Sequence, residues 1–314
     1  MKTIKIGQIN WYQHQEWGDT GLYRMNRLVD KLNSFSTKYK YEYCDCLKDN
    51  CDVVFYSLYN TLDNLKNVKG NPQLIYWTDE LNCVGYENII NDPFTYYKNG
   101  NPSISFYDDF ENNLCFPYFA LFIEEYLYTQ YMIQLGNIKL ENINKNKFCT
   151  FCASNDSMYN SDFRTNVVKY INKNYKQITC CGRVLNNTNG KYLPWDVEDR
   201  IIYHKDYKFY LCFENTASSG NLTYLTEKII NGFTYNTVPI YWGAERVIEW
   251  FNPNAFINCN GLNEQQILEK IKEVDNDDEL YNYMRSQHIF LKEDFSYDEY
   301  FIKKLETFIL KYIK

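Results

Sequence analysis

Thr226, Glu227 and Lys228 follow an apolar run that ends in the polar pair Glu214 and Asn215 and then a loop rich in Ser, Gly and Asn. The pattern predicts a buried strand over Lys208–Phe213, the loop, and a helix starting at about Leu225 with the three residues in its first turn. Backbone N–H groups there have no partner within the helix, and the aligned peptide dipoles give that end partial positive charge. With the Lys228 ammonium added, the segment reads as an anion site suited to a diphosphate. An isolated Thr-Glu-Lys triplet by itself reads as a capped helix start with a solvated lysine.

Other chemistries are poorly supplied. The 314 residues include only three histidines, His14, His204 and His288, too few for most metal centres or for a histidine-activated nucleophile. Neither a GxGxxG fingerprint nor a GxxxxGK[ST] loop occurs, which removes the nicotinamide and P-loop readings. A net charge of -7 argues against a partner held by its phosphate backbone, so no nucleic acid is expected. Eleven cysteines, many inside apolar runs, read as buried thiols and not as a disulfide scaffold. Cys149 and Cys152 form a CxxC, but nothing at metal spacing accompanies it, and three positions along a strand put the sulfurs on opposite faces.

The elements that must position these groups alternate between short β-branched or aromatic runs and helical patterns, the mark of α/β layering on parallel sheets. Strands are predicted at Thr3–Ile9, Asp52–Tyr56, Gln73–Tyr76, Phe148–Ala153, Gln177–Cys181, Lys208–Phe213, Val238–Tyr241 and Ala255–Asn258. A helix over Asp162–Tyr175, capped by Ser161 or Asp162, follows the fourth strand. The polar stretch Gly136–Lys147, opened by a helix-stopping glycine, reads as a linker after an apolar helical segment at Phe119–Leu135. Ser296–Ile313 carries an apolar helical stripe. These features predict two Rossmann-like domains facing each other across a cleft: residues 1–140, residues 147–290, and a C-terminal helix over 291–314. Ligands in such sheets bind beyond the carboxyl ends of strands.

The wider string YKFYLCFENTASSGNLTYLTEKIINGFTYNTVPIYWG, Tyr207–Gly243, resembles the donor-binding signature of glycosyltransferase family 10, the α1,3/α1,4-fucosyltransferases. There a FEN strand end leads to a Y-[VIL]-T-E-K helix start and a VPIYWG-like strand. The likeness extends, most closely to compact bacterial members, through KIGQINWY, CDVVFYSLYN, IYWTDE, NPSISFYDDF, CFPYF and FCASNDSMYNSDFRTNVVKYIN. It implies an α/β protein of GT-B architecture, with an acceptor-binding domain first, a nucleotide-sugar domain second and the active site between them.

By the same resemblance, Arg164 and Lys228 neutralise the diphosphate of GDP-fucose, and Glu227 accepts hydrogen bonds from the ribose hydroxyls. Asn215 and Tyr224 line the same pocket. Glu80 matches the family's general-base position, and an inverting transfer requires such a carboxylate opposite the leaving phosphate. Asp79 beside it points the other way. Cations take the place of a metal, so GDP-fucose is the donor substrate and no cofactor or obligate metal is expected; the pair Asp108 and Asp109 falls in the acceptor half. Two departures stand out. The loop Thr216–Thr223 is longer than the family's, with Thr223 where Asp or Gly is common, and Thr78-Asp79-Glu80 replaces the usual Thr-Gly-Glu.

The function implied is transfer of L-fucose to a glycan hydroxyl, α1,3 to GlcNAc or Glc. A related transferase using another nucleotide deoxyhexose, and a non-catalytic glycan-binding protein on the same scaffold, remain as alternatives. Trp11, Tyr12, His14 and Trp17 read either as a stacking platform for the acceptor or as core. The amino terminus alternates like a strand and not like a signal peptide, and no window is long enough to span a bilayer. The reading is therefore a cytoplasmic protein with no integral membrane segment, peripheral to membranes that carry its oligosaccharide acceptor.

Overall fold

Val53, Val54, Phe55 and Tyr56 are all buried, the pattern of a strand covered on both faces and hence of a parallel sheet flanked by helices. The structure is a computed structural model that describes residues 1–10, 20–57, 62–78, 102–108, 111–121, 123–134, 145–155, 162–193, 197–292, 296 and 298–313. The chain divides into two compact units, Met1–Pro117 with Ser296–Lys314, and Tyr118–Phe295.

The first unit holds six strands, β1 (Lys2–Ile9), β2 (Tyr39–Tyr43), β3 (Val53–Tyr56), β4 (Gln73–Trp77), β5 (Ser103–Ser105) and β6 (Asn113–Cys115). Their spatial order is β2-β1-β3-β4-β5-β6, every pair parallel. Helix α1 (Thr20–Phe35) joins β1 to β2, with Met25, Leu28, Val29 and Leu32 buried at helical spacing. β2, β5 and β6 were not anticipated, because their short and largely polar sequences carry little of the apolar signal that marks a strand.

The second unit holds β7 (Lys147–Phe151), β8 (Thr179–Cys180), β9 (Tyr207–Ser218), β10 (Val238–Ala244) and β11 (Ile257–Asn258) in the order β11-β10-β9-β7-β8, again parallel throughout. Its helices are α2 (Ile123–Gln134), α3 (Phe163–Asn174), α4 (Val197–His204), α5 (Lys228–Thr234), α6 (Glu264–Asp275) and α7 (Asp278–Ser286). Phe209, Leu211, Val238 and Ile240 from the sheet meet Val167, Val168 and Ile171 of α3 and Ile267 and Ile271 of α6 in the core. Asn263 and Gln266 form a reciprocal capping box that starts α6.

Three features depart from the sequence reading. The segment around α2 packs in the second unit and not in a domain ending at residue 140: the Phe119 and Phe251 rings lie 5.0 Å apart, and the Phe119 N–H donates to the Leu225 carbonyl at 3.3 Å. Composition marked the polar stretch as the boundary, whereas packing puts it before Tyr118. The C-terminal helix, α8 (Lys303–Tyr312), belongs to the first unit, burying Leu305 and Ile309 there while Tyr41 donates to Glu306 at 2.9 Å. Cys44 and Cys51 are joined as a disulfide, so the all-thiol reading of the cysteines does not hold for this pair. Among the described residues no helix is long and apolar enough to cross a membrane.

His204, at the end of α4, is fully buried and stacked on Tyr235 with centroids 4.3 Å apart. Burial pushes its pKa down from 6.5 to about 3, opposed by the bond of Nδ1 to the Arg200 carbonyl and reinforced by the Arg200 and Lys145 charges. The folded-state value lies below the unfolded one, so the neutral ring's contribution is complete above pH 6.5 and is lost as the pH falls toward 3. The loss is about 1.4 kcal/mol per pH unit at most. Chemical denaturation at a series of pH values should show wild type losing stability faster than His204→Phe below pH 6.5; parallel curves contradict the assignment.

Candidate functional site

β9 and β10 pair evenly from Phe209 with Val238 to Phe213 with Trp242, and the next pair is Ser218 with Ala244. Five residues on β9 therefore face two on β10, and Glu214–Ala217 bulge out of the ladder. The strand runs on past the expected end at Phe213 to Ser218, and Glu214 and Asn215 sit where its ladder is interrupted. Gly243 permits it: its φ is +156°, and a Cβ there would lie 2.3 Å from Glu214 Cγ.

Glu214 is completely buried, and both its oxygens are engaged. Oε1 accepts from the Thr226 backbone N–H at 2.8 Å and Oε2 from the Thr226 hydroxyl at 2.7 Å. Lys228 Nζ stands 3.0 Å from Glu214 Oε2, 3.6 Å from Glu227 Oε1 and 2.9 Å from Thr226 Oγ1. Burial raises the Glu214 carboxyl above its usual range, Lys228 opposes this, Glu227 adds to it and the Thr226 donors oppose it. The lysine thus holds a carboxylate that would otherwise be costly to desolvate.

This arrangement corrects the helix-end reading. α5 begins at Lys228 with Glu227 at the N-cap and spans seven residues, so Thr226 lies before the helix and its N–H is spent on Glu214. Lys228 is the charged group of this segment, and the Thr226 N–H is not among its free donors.

Arg164 is the second residue of α3, whose Val167, Val168 and Ile171 anchor that helix in the core. Asp162 occupies the N-cap, as expected, but its side chain makes no capping bond. Arg164 is 2% exposed. Its guanidinium donates to Asn215 Oδ1 at 2.8 Å and to the Asn155 carbonyl. Asn215 Nδ2 in turn donates to the Tyr224 hydroxyl at 3.2 Å, and the Tyr224 N–H donates to Ser218 Oγ at 3.0 Å. The two networks, Arg164–Asn215–Tyr224 and Lys228–Glu214–Thr226, meet at adjacent residues of the bulge. Arg164, Asn215, Tyr224, Glu227 and Lys228 are brought together as the sequence suggested.

Two further side chains of this region escaped the sequence reading. Glu214 had a signal, a charged residue closing an otherwise apolar strand. Arg246 had none; it donates to Thr223 Oγ1 at 2.9 Å and grips Glu249 through two bonds, Nε to Oε1 at 2.8 Å and NH2 to Oε2 at 2.9 Å, tying down the end of the lengthened loop. β4 ends at Trp77, followed by buried Thr78. Asp79 and Glu80 beyond it, Trp11, Tyr12, His14 and Trp17, and Asp109 lie outside the described residues. Among the described residues no group of three His, Cys, Asp or Glu side chains could hold a metal ion.

The profile of a family described as "Glycosyltransferase family 10 (fucosyltransferase) C-term" matches residues 142–304, which include both networks. The α1,3-fucosyltransferase FucT of Helicobacter pylori is 36% identical over 129 residues, 41% of this chain and 24% of that protein. GDP-fucose protein O-fucosyltransferase 3 of Xenopus tropicalis is 33% identical over 92 residues, 28% of this chain and 19% of that protein. The chain thus spans about a quarter or less of the length of these relatives. A crystal structure of an α1,3-fucosyltransferase superposes with a TM-score of 0.68 at 22% identity, covering 99% of this chain and 90% of that one. The same kind of enzyme with GDP-fucose gives 0.67 at 21% identity, with 100% and 91% covered. The two parallel α/β sheets therefore form the fold of these enzymes, the GT-B type. With a profile match over more than half of its residues, centred on the bulge and its cations, the chain belongs to glycosyltransferase family 10.

Proposed function

We propose that this protein transfers L-fucose from GDP-fucose to a hydroxyl of a glycan acceptor with inversion, forming an α1,3 linkage to N-acetylglucosamine or glucose. The observation that carries the reading is the convergence of Arg164 and Lys228 on the neighbouring residues Asn215 and Glu214. Two cations held by protein partners before any ligand arrives suit a leaving group that gains negative charge. The relatives' names and the solved complex with GDP-fucose agree with that donor.

In the proposed reaction the Glu80 carboxylate takes the proton of the acceptor hydroxyl as its oxygen attacks the anomeric carbon opposite the diphosphate. The bond from that carbon to the β-phosphate oxygen breaks, its electron pair staying on the oxygen, and Arg164 and Lys228 offset the charge that develops. Groups oriented in advance for such charge contribute about 3 to 4 kcal/mol each. Glu227 accepts from the ribose hydroxyls, and Asn215 and Tyr224 line the pocket. The cations make a divalent ion unnecessary in this scheme.

The test is incubation with GDP-fucose and a panel of lactose and N-acetyllactosamine acceptors, with products identified by mass spectrometry and NMR, with and without a chelator. A fucosylated product formed at the same rate under chelation is expected. Glu80→Gln should lower kcat at least about a hundredfold, the scale of general-base catalysis, with GDP-fucose affinity retained. Turnover only with another nucleotide sugar would favour the related transferase, and glycan binding without turnover of any donor would favour the non-catalytic reading.

A further inference from the structure

Cys152 and Cys181 lie where two parallel strands end. β7 and β8 pair Thr150 with Thr179 and Phe151 with Cys180, and the Cys181 N–H donates to the Phe151 carbonyl at 3.0 Å. One step further in the same register places Cys152 opposite Cys181. Neighbouring strands run about 4.8 Å apart, within the roughly 4.4 to 6.8 Å between Cα atoms that a disulfide spans. Opposite residues of paired strands carry their side chains on the same face of the sheet, so the two sulfurs lie on one side of it, close enough for each to shift the other's ionisation. The chain is pinned just beyond them, because a Cβ on Gly182 would lie 2.4 Å from the Ala153 backbone and the Val184 N–H donates to the Ala153 carbonyl at 3.0 Å.

The remaining thiols of this sheet are placed differently. Cys149, Cys180 and Cys212 are fully buried among apolar side chains, whereas Cys152 is half-buried. The neighbouring Cys181 and then the Arg200 guanidinium favour the Cys152 thiolate against burial, while Cys152 and then burial hold the Cys181 thiol protonated. A half-buried thiol favoured as the thiolate beside a protonated, sheltered one is the arrangement of an attacking and a resolving cysteine. Three residues after Cys152, the Asn155 carbonyl accepts from Arg164.

We propose that Cys152 and Cys181 form an oxidisable dithiol, a modification site for hydroperoxides, and that closing it into a disulfide weakens the nucleotide site through Asn155 and Arg164. The Cys152 thiolate attacks a peroxide oxygen, the O–O bond breaks, and hydroxide leaves to give a sulfenic acid. The Cys181 sulfur then attacks the Cys152 sulfur; the S–O bond breaks, and the departing hydroxide takes the Cys181 proton as water. The hydroxide of the first step takes up the proton that Cys152 lost on ionising, so both cysteines are oxidised and the peroxide is reduced to two waters.

The dithiol stands independently of the enzymatic reading, whereas the effect on nucleotide binding rests on it. Treating the native protein with hydrogen peroxide, trapping free thiols, digesting and mapping by mass spectrometry should yield a peptide linked 152 to 181, reversed by dithiothreitol and missing in Cys152→Ser and Cys181→Ser. Calorimetry with GDP should show affinity about tenfold lower after oxidation, the loss expected from disturbing one bond to a charged group, with no change in either variant. A digest without the 152 to 181 link, or a linked protein binding GDP as tightly as the reduced one, overturns the proposal. Reduced wild type that fails to bind GDP at all counts against the enzymatic reading, and the linked peptide then decides the dithiol by itself.

Discussion

Arg164→Ala should lower kcat/KM for GDP-fucose by about a thousandfold, with most of the loss in kcat. The guanidinium is buried, held on one side by Asn215 and on the other by the Asn155 carbonyl, so its charge is aimed before the donor arrives. Removing one such group from a site where charge develops costs about 10² to 10³ in rate, and half-buried Asn215 and exposed Asn155 lose a donor as well. Arg164→Lys separates the two effects, since it keeps the charge but cannot span both acceptors. It should recover only part of the activity. Steady-state kinetics with GDP-fucose, together with melting temperatures for both variants, decide the matter. Activity of the alanine variant within about threefold of wild type would remove Arg164 from the reacting site, by the same scale.

Gly182→Ala should destabilise the protein by about 3 kcal/mol or more, among the larger costs of adding one methyl group. The new Cβ would meet the Ala153 backbone nitrogen and oxygen at 2.4 Å. These atoms belong to the main chain and cannot rotate aside. Both chains are also fixed, by Cys181 N–H to Phe151 O and by Val184 N–H to Ala153 O, each at 3.0 Å. Relief therefore requires breaking the end of the β7–β8 ladder. Gly190→Ala is the control: its φ is +74° but nothing lies within 4 Å, so it should cost only about 1 to 2 kcal/mol of backbone strain. Guanidinium unfolding curves compare the two. Equal losses would mean that the strands move apart more readily than the packing indicates.

Much of the candidate site was legible in the string from Tyr207 to Gly243 because its parts are local. A buried strand, a polar loop and Tyr224, Glu227 and Lys228 are separated by fixed numbers of residues, and such spacing survives folding. Lys228 was legible as a cation, but its partner was not. Whether Glu214 faces core or solvent depends on the bulge opposite Gly243, and that bulge is a relation between two strands whose paired residues are 26 to 29 apart along the chain. For the same reason the helix start moved from Leu225 to Lys228: the Glu214 carboxylate captures the Thr226 N–H that a helix would have left free.

The fold divides along the same line. Alternating burial in β1 and continuous burial in β3 and β9 follow from side-chain type within a few residues, and they made the α/β class and two parallel sheets readable from composition and period. The bond from Arg164 to Asn215 joins residues 51 apart, and that from Tyr41 to Glu306 joins residues 265 apart. Contacts over such separations exist only once the crossover helices have set the strand order, and no local window contains them. Residue types and spacings along the chain decided the family resemblance and the cations available to a diphosphate. Packing alone decided that α2 joins the second unit, that the last helix returns to the first, and that Glu214 holds Lys228, because burial of apolar faces is a property of the assembled layers and not of any segment.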